Sequence, residues 1–305
     1  MILKDIADQT GIDVRYLALV ARTAGHRYKH YQIPKRDGGK REIAQPSKSV
    51  KFLQRWLNQK FFRFLPVSSC ALAYKSGSNI LQNAQRHRYQ RFSLRIDFHN
   101  FFPSITSKDI RYVIRDNRYI LPKELSSDDI NTICSIVCLN GRLTIGAPSS
   151  PVLSNAVMFK FDRYWEQFAL NNDLVYSRYA DDIFISTRIP NILQGVLQQF
   201  RTYVQDMESP KLKINESKIS FTSRKHRRKV TGLIITPDYK LSLGRQKKRL
   251  IKGLVFQFTN KTISPEDLSY LRGCIAQAAS VEKSFINSLR RKYGPDTIER
   301  IVRLT

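Results

Sequence analysis

RYADDIFIS, residues 178–186, is the stretch whose reading decides the fold. Val175, Tyr176 and Tyr179 precede two adjacent acids, Asp181 and Asp182, and Ile183, Phe184 and Ile185 follow them. The pattern is two apolar strands, 175–179 and 183–187, meeting at a tight turn. An Asp-Asp turn is common on protein surfaces. At the turn of a core hairpin it is different, because negative charge there is tolerable only when exposed or metal-bound. Carboxylate oxygens are the donors that hard divalent cations take, so the pair is a candidate metal site.

Working outward, SLRIDF at 93–98 alternates Leu94 and Ile96 against Ser93, Arg95 and Asp97. A half-buried strand is expected, with a third carboxylate, Asp97, on its polar side near the end. Residues 28–46, YKHYQIPKRDGGKREIAQP, read as a basic β-hairpin turning at Asp37, Gly38 and Gly39. Residues 47–64 form an amphipathic helix with Val50, Leu53, Leu57 and Phe61 on one face. Helices are expected over 80–88, 107–115, 128–139, 154–170 and 192–207, and strands over 229–235 and 239–243. Two short helices, 5–10 and 13–23, break at Gly11; they loosely resemble a helix-turn-helix, and packing against the body accounts for the same pattern. Beyond Gly244 the chain is helical and basic, with 13 Lys or Arg against 5 acids over 241–305. The sum is α+β with a compact antiparallel sheet, divided into N-terminal helices (1–27), a body (28–240) and a basic helical lobe (241–305).

Lys and Arg number 52 against 25 Asp and Glu, a formal charge of +27. Such a chain repels itself without a polyanionic partner, which points to nucleic acid, with an anionic membrane surface as the competing reading. No uncharged run is long enough to span a bilayer, so a soluble cytoplasmic protein with no membrane partner is expected. The cysteines, Cys70, Cys134, Cys138 and Cys274, form no CxxC pair and suggest neither a disulfide framework nor zinc. Cys134 and Cys138 lie four apart in an apolar helical run and read as core.

RYADDIFIS resembles the catalytic signature of reverse transcriptases, and RIDFHNFFPSI at 95–105 resembles that family's other metal-binding segment. The resemblance implies a right-hand polymerase with fingers, a palm of small antiparallel sheet plus helices, and a helical thumb at 241–305. It makes Asp97, Asp181 and Asp182 catalytic, holding two Mg2+ ions with Phe98, Mn2+ being a possible substitute, for nucleotidyl transfer from deoxynucleoside triphosphates. Phe102 falls on the gate beneath the incoming sugar that excludes a ribose 2'-hydroxyl; a core aromatic is the other reading, since Phe98, Phe101 and Phe102 cluster. GAPSSP at 146–151 resembles the loop-to-helix element that touches template and nucleotide, which assigns Gly146 and Ala147 to the nucleotide. Ile145 departs from the Gln that many relatives carry just before that Gly. Arg41, with Lys35, Arg36 and Lys40 nearby, matches the fingers residue that neutralises the triphosphate, a role an Arg fork suits; a solvated charge run is the alternative. LKINESKISF at 212–221 resembles the segment after the catalytic hairpin, whose lysine, Lys218, protonates leaving pyrophosphate.

Two shorter motifs resemble those of retron reverse transcriptases: NAQRH at 83–87 fits NAxxH, and Val230, Thr231 and Gly232 fit VTG. Asn83 and His87 join the VTG residues as candidates for RNA recognition. Three basic runs supply a phosphate-binding surface: Arg227 and Arg228 before VTG; Arg245, Lys247, Lys248 and Arg249; and Arg290 and Arg291. What the resemblance implies is an enzyme that binds a structured noncoding RNA and begins from the 2'-hydroxyl of a guanosine. It would copy part of that RNA into branched RNA-linked single-stranded DNA, in antiphage defence with an effector protein encoded nearby. One alternative is a group II intron-related or phage-defence reverse transcriptase without a branched product. Another, of a different class, is a basic RNA-binding or helix-turn-helix regulator whose acidic turn is structural.

Overall fold

A computed structural model describes residues 1–34 and 38–303, so the parts expected of Lys35, Arg36 and Asp37 lie outside the described residues. Two N-terminal helices, α1 (Ile2–Thr10) and α2 (Val14–Arg22), precede the strands β1 (Tyr28–Pro34) and β2 (Lys40–Pro46) and the helix α3 (Lys48–Lys60). Then come α4 (Ile80–His87), β3 (Phe92–Asp97), α5 (Phe101–Ser104), α6 (Ser107–Asp116), α7 (Ser127–Val137), α8 (Ser150–Val157) and α9 (Phe159–Asn171). The hairpin strands β4 (Leu174–Tyr179) and β5 (Asp182–Thr187) lead to α10 (Leu193–Asp206). Four short strands follow, β6 (Ser220–Ser223), β7 (Arg228–Val230), β8 (Leu233–Ile235) and β9 (Leu241–Ser242). The described chain ends in α11 (Arg245–Thr259), α12 (Pro265–Val281), α13 (Lys283–Tyr293) and α14 (Pro295–Arg303).

The chain divides into two compact units. The first comprises Met1–Gly77, Leu94–Ile185 and Asn191–Ser220. In it β4, β5 and β3 stand side by side, in a sheet ordered β4-β5-β3-β6. Because β3 is an interior strand, it buries more than one face: Leu94 and Ile96 are inaccessible, and Ser93 and Asp97 are buried as well. That corrects the half-buried reading. Behind the sheet lies an aromatic core in which Phe200 packs on Trp165 at 4.8 Å, on Phe161 at 5.8 Å and on Phe98 at 6.1 Å between ring centres. Phe98 adjoins Asp97 in the chain, so this core fixes the floor of the acidic site. The expected long helix over 154–170 is two helices interrupted at Met158. The N-terminal pair packs as a cap rather than standing free. Gly11 ends α1 in a left-handed conformation (φ 70°), Asp13 caps α2 through the Arg15 and Tyr16 N–H groups, and Ile2 N–H donates to Asp129 of α7 at 2.5 Å.

The second unit comprises Ser78–Ser93, Ser186–Pro190 and Phe221–Thr305. Its sheet is β7-β8-β9. The single strand expected over 229–235 is instead a hairpin, β7 against β8, that turns at Thr231 (φ 45°) and Gly232 (φ 87°). Two successive left-handed residues are what a two-residue hairpin turn of the primed type requires. The helices α11 to α14 bury one face each, through Ile251 and Val255, Leu271 and Ala278, Leu289, and Ile298 and Ile301. Ser264 caps α12 by accepting from Asp267 N–H, with Pro265 at the first helical position.

Candidate active site

The first unit gathers the three acids. Phe98 N–H, at the end of β3, donates to the Asp181 carbonyl at 3.3 Å, which ties Asp97 to the hairpin turn. The turn is strained: Ala180 sits at φ 60°, a region in which only glycine is at ease. It is held from beneath by Arg178. That guanidinium is fully buried, forks onto Asp162 of α9 at 2.8 and 2.6 Å, and donates to the Ala180 carbonyl at 3.0 Å. Tyr176 donates its hydroxyl to the same Asp162 at 2.8 Å. Nothing in the sequence announces Asp162, one of two acids in the aromatic-rich helix α9.

Each outer carboxylate already faces a cation. Arg95 Nε and Nη2 reach the same Asp182 oxygen at 2.9 and 2.7 Å. Lys218 Nζ lies 3.0 and 3.2 Å from the two Asp97 oxygens, and Asn215 donates its side-chain amide to Asp97 at 3.1 Å. Arg95 was legible in principle: it stands two residues before Asp97, and a strand points alternate side chains to one face. Burial pushes the Asp181 carboxyl up to about 6, with repulsion from Asp182 and then Asp97 adding to it. Asp182 is also raised by burial, against the pull of Arg95. Among the described residues no three His, Cys, Asp or Glu side chains are drawn together as a ready-made metal cluster. The donor set still fits hard divalent cations: Asp97 at the end of β3 stands beside the Asp181–Asp182 turn, and the repulsion these acids exert on Asp181 favours a bound cation.

Burial separates the three phenylalanines. Phe98 (2% exposed) and Phe101 (4%) are core, whereas Phe102 is half-buried and lines a hollow of about 360 Å3 with Tyr74, Thr144 to Ala147, Lys51 and Arg55. Tyr74, a residue the sequence reading did not single out, has φ 61° and lies 6.1 Å from Phe102 between ring centres. Its hydroxyl is pushed up by burial and by nearby Asp181, and pulled down by Arg41, so the acid of the turn and the exposed Arg41 of β2 act on one ring. Gly146 and Ala147 form the rim of the hollow. Gly146 has φ 114°, and a Cβ there would meet the Ala44 carbonyl and Ile43 at 3.0 Å, so its immediate use is close packing against β2.

The second unit brings NAxxH and VTG together. Thr231 donates its hydroxyl to the Ile80 carbonyl at 3.0 Å, and His87 Nδ1 lies 2.6 Å from Ser186 Oγ. Asn83 and His87 have no exposed surface, and Val230 and Arg228 have 1% each; Arg228 binds the Gln90 and Thr236 carbonyls. Side chains so placed pack the unit from within. Arg227, Gly232, Arg245, Arg249, Arg290 and Arg291 are exposed. Lys247 and Lys248 are half-buried and bound to Gln277 and Glu282.

A family model described as reverse transcriptase (RNA-dependent DNA polymerase) matches residues 33–235. The chain is 38% identical to the Retron Ec83 reverse transcriptase of Escherichia coli, covering 93% of this chain and 92% of that one. It is 31% identical to the Retron Ec86 reverse transcriptase of Escherichia coli, over 98% and 92%. Among solved structures, apo telomerase from Candida tropicalis truncated from its C-terminal domain aligns with a TM-score of 0.49 at 12% identity, over 70% of this chain and 54% of that one. The chain thus spans about half the length of that telomerase. It belongs to the reverse transcriptase family, among the retron enzymes. It is an RNA-directed DNA polymerase.

Proposed function

We propose that this polymerase copies part of a structured noncoding RNA into DNA, beginning from the 2'-hydroxyl of a guanosine, and leaves a branched RNA-linked single strand. The observation that carries the catalytic part is that Asp97, at the end of β3, is tied beside the strained turn that carries Asp181 and Asp182, where burial first and the two acidic neighbours next push Asp181 up. Two Mg2+ ions held by these carboxylates and the Phe98 main chain would lower the pKa of the attacking hydroxyl and screen the triphosphate. Arg95 and Lys218 hold Asp182 and Asp97 in place beforehand. Arg41 neutralises triphosphate charge from β2, and Gly146 and Ala147 shape the rim of the nucleotide site. Phe102 faces the hollow and blocks a ribose 2'-hydroxyl. Lys218, with a side chain 44% exposed, is free enough to turn from Asp97 and give a proton to leaving pyrophosphate. The exposed arginines of the 241–305 thumb, with Arg227, take the RNA phosphates, while the buried Asn83, His87 and Val230 set the surface that presents them.

We further propose a role in antiphage defence beside an effector protein, supported by kinship with retron enzymes. The test is on small nucleic acids from the native host, comparing the intact gene with Asp181→Asn/Asp182→Asn. A short DNA that shifts on both ribonuclease and debranching treatment, and vanishes in the variant, is expected. Absence of that DNA while the purified protein still copies a supplied RNA would remove the branched product and leave the polymerase.

A further inference from the structure

The outward face of α6 carries a feature that the polymerase site does not use. Lys108, Arg111 and Arg115 recur at three- and four-residue spacing, and Arg118 continues the stripe just past the helix end. Ile110, Val113 and Ile114 are buried on the opposite side, so the cations share the outward face, with Lys108, Arg115 and Arg118 exposed and Arg111 half-buried and donating to Asn131. With Tyr112 and Asp116 they line a surface hollow of about 440 Å3. The single acid there does not cancel them, because Asp116 is engaged by Lys160 at 3.0 Å.

Two tyrosines stand on the same stripe, Tyr112 at 53% and Tyr119 at 82% exposure. Arg118 lies over the Tyr119 ring at 4.4 Å, and Lys160 over Tyr112 at 4.9 Å. A helix face that is merely solvated mixes its charges. This one carries four cations against a single acid already paired with Lys160, and keeps flat rings in water beside it. From Lys108 to Arg115 is about 10 Å of helix, enough to meet more than one phosphate of a strand.

We propose that this face binds single-stranded nucleic acid outside the polymerisation site, with the cations on phosphates and Tyr112 and Tyr119 stacked on unpaired bases. An acidic protein surface would satisfy the charges and leave the rings without a purpose, so nucleic acid is the better fit.

The test uses the full chain and the variant Lys108→Gln/Arg115→Gln/Arg118→Gln/Tyr119→Ala, four exposed positions. Binding of an oligouridylate carrying 4-thiouridine is followed by anisotropy against salt and by photocrosslinking. Removing three cations is expected to lower the slope of log K against log salt by about 2. The wild-type protein is expected to crosslink within residues 107–120, and the variant to extend a short primed template at the normal rate. An unchanged slope, or a wild-type crosslink map without residues 107–120, would overturn the proposal. Lost binding of polyglutamate with oligouridylate binding intact would also overturn it, in favour of an acidic protein. Should the variant fail to fold, the wild-type map decides alone.

Discussion

Asp162 and Arg178 show how a residue far from the chemistry holds it in place. Both are fully buried, and the pair supports the Ala180 carbonyl. Asp162→Ala strands a buried guanidinium and is expected to cost about 3–5 kcal/mol, seen as a lower urea midpoint; an unchanged midpoint would show that the ion pair carries no such weight. His87 gives a pH dependence. Burial, followed by repulsion from Arg86, pushes its imidazole down to about 3 from 6.5, so the unfolded chain takes up that proton first. Its contribution to stability is present above pH 6.5 and is lost as pH falls toward 3. His87→Gln should therefore flatten the loss of stability between those limits, whereas equal slopes in both proteins would refute the assignment. The acids were legible in the sequence because two carboxylates inside an apolar hairpin need a reason to be there. Asp162 was not, because a partner 16 residues away in another element leaves no mark on local pattern.

At the scale of elements, apolar alternation located β3, β4 and β5 and so the site, but it misjudged two boundaries for physical reasons. Val230 and Leu233 to Ile235 are all apolar, so 229–235 reads as one strand; only the left-handed backbone at Thr231 and Gly232 folds it back. Apolar periodicity likewise runs straight through Met158, where the chain breaks into α8 and α9. The burial of Asn83, His87 and Val230 belongs to this scale too, since short motifs read the same whether they face a ligand or a neighbouring strand. Gly146 can be tested directly. A Cβ at φ 114°, 3.0 Å from the Ala44 carbonyl, has backbone rather than a movable side chain in its way. Gly146→Ala is expected to lower stability by about 1–3 kcal/mol in thermal unfolding, and an unaltered transition would mean that the loop yields.

Across the whole molecule the charge of +27 is divided by partner rather than by position. Arg245, Arg249, Arg290 and Arg291 are exposed, whereas Lys247 and Lys248 are engaged with Gln277 and Glu282. Neutralising the four arginines should lower the salt slope for single-stranded RNA by about 3, and Lys247→Gln/Lys248→Gln should lower it less; equal effects would contradict that division. Among the described residues no helix is long and apolar enough to cross a membrane, so this charge is not the flank of a helical span. The central claim is that Asp97, Asp181 and Asp182 form the polymerase centre, and one measurement tests it most directly. Deoxynucleotide incorporation on a primed RNA template is compared for the wild type and Asp181→Asn, with circular dichroism of both. Loss of incorporation with an unchanged spectrum is expected, and incorporation at the normal rate would contradict the claim.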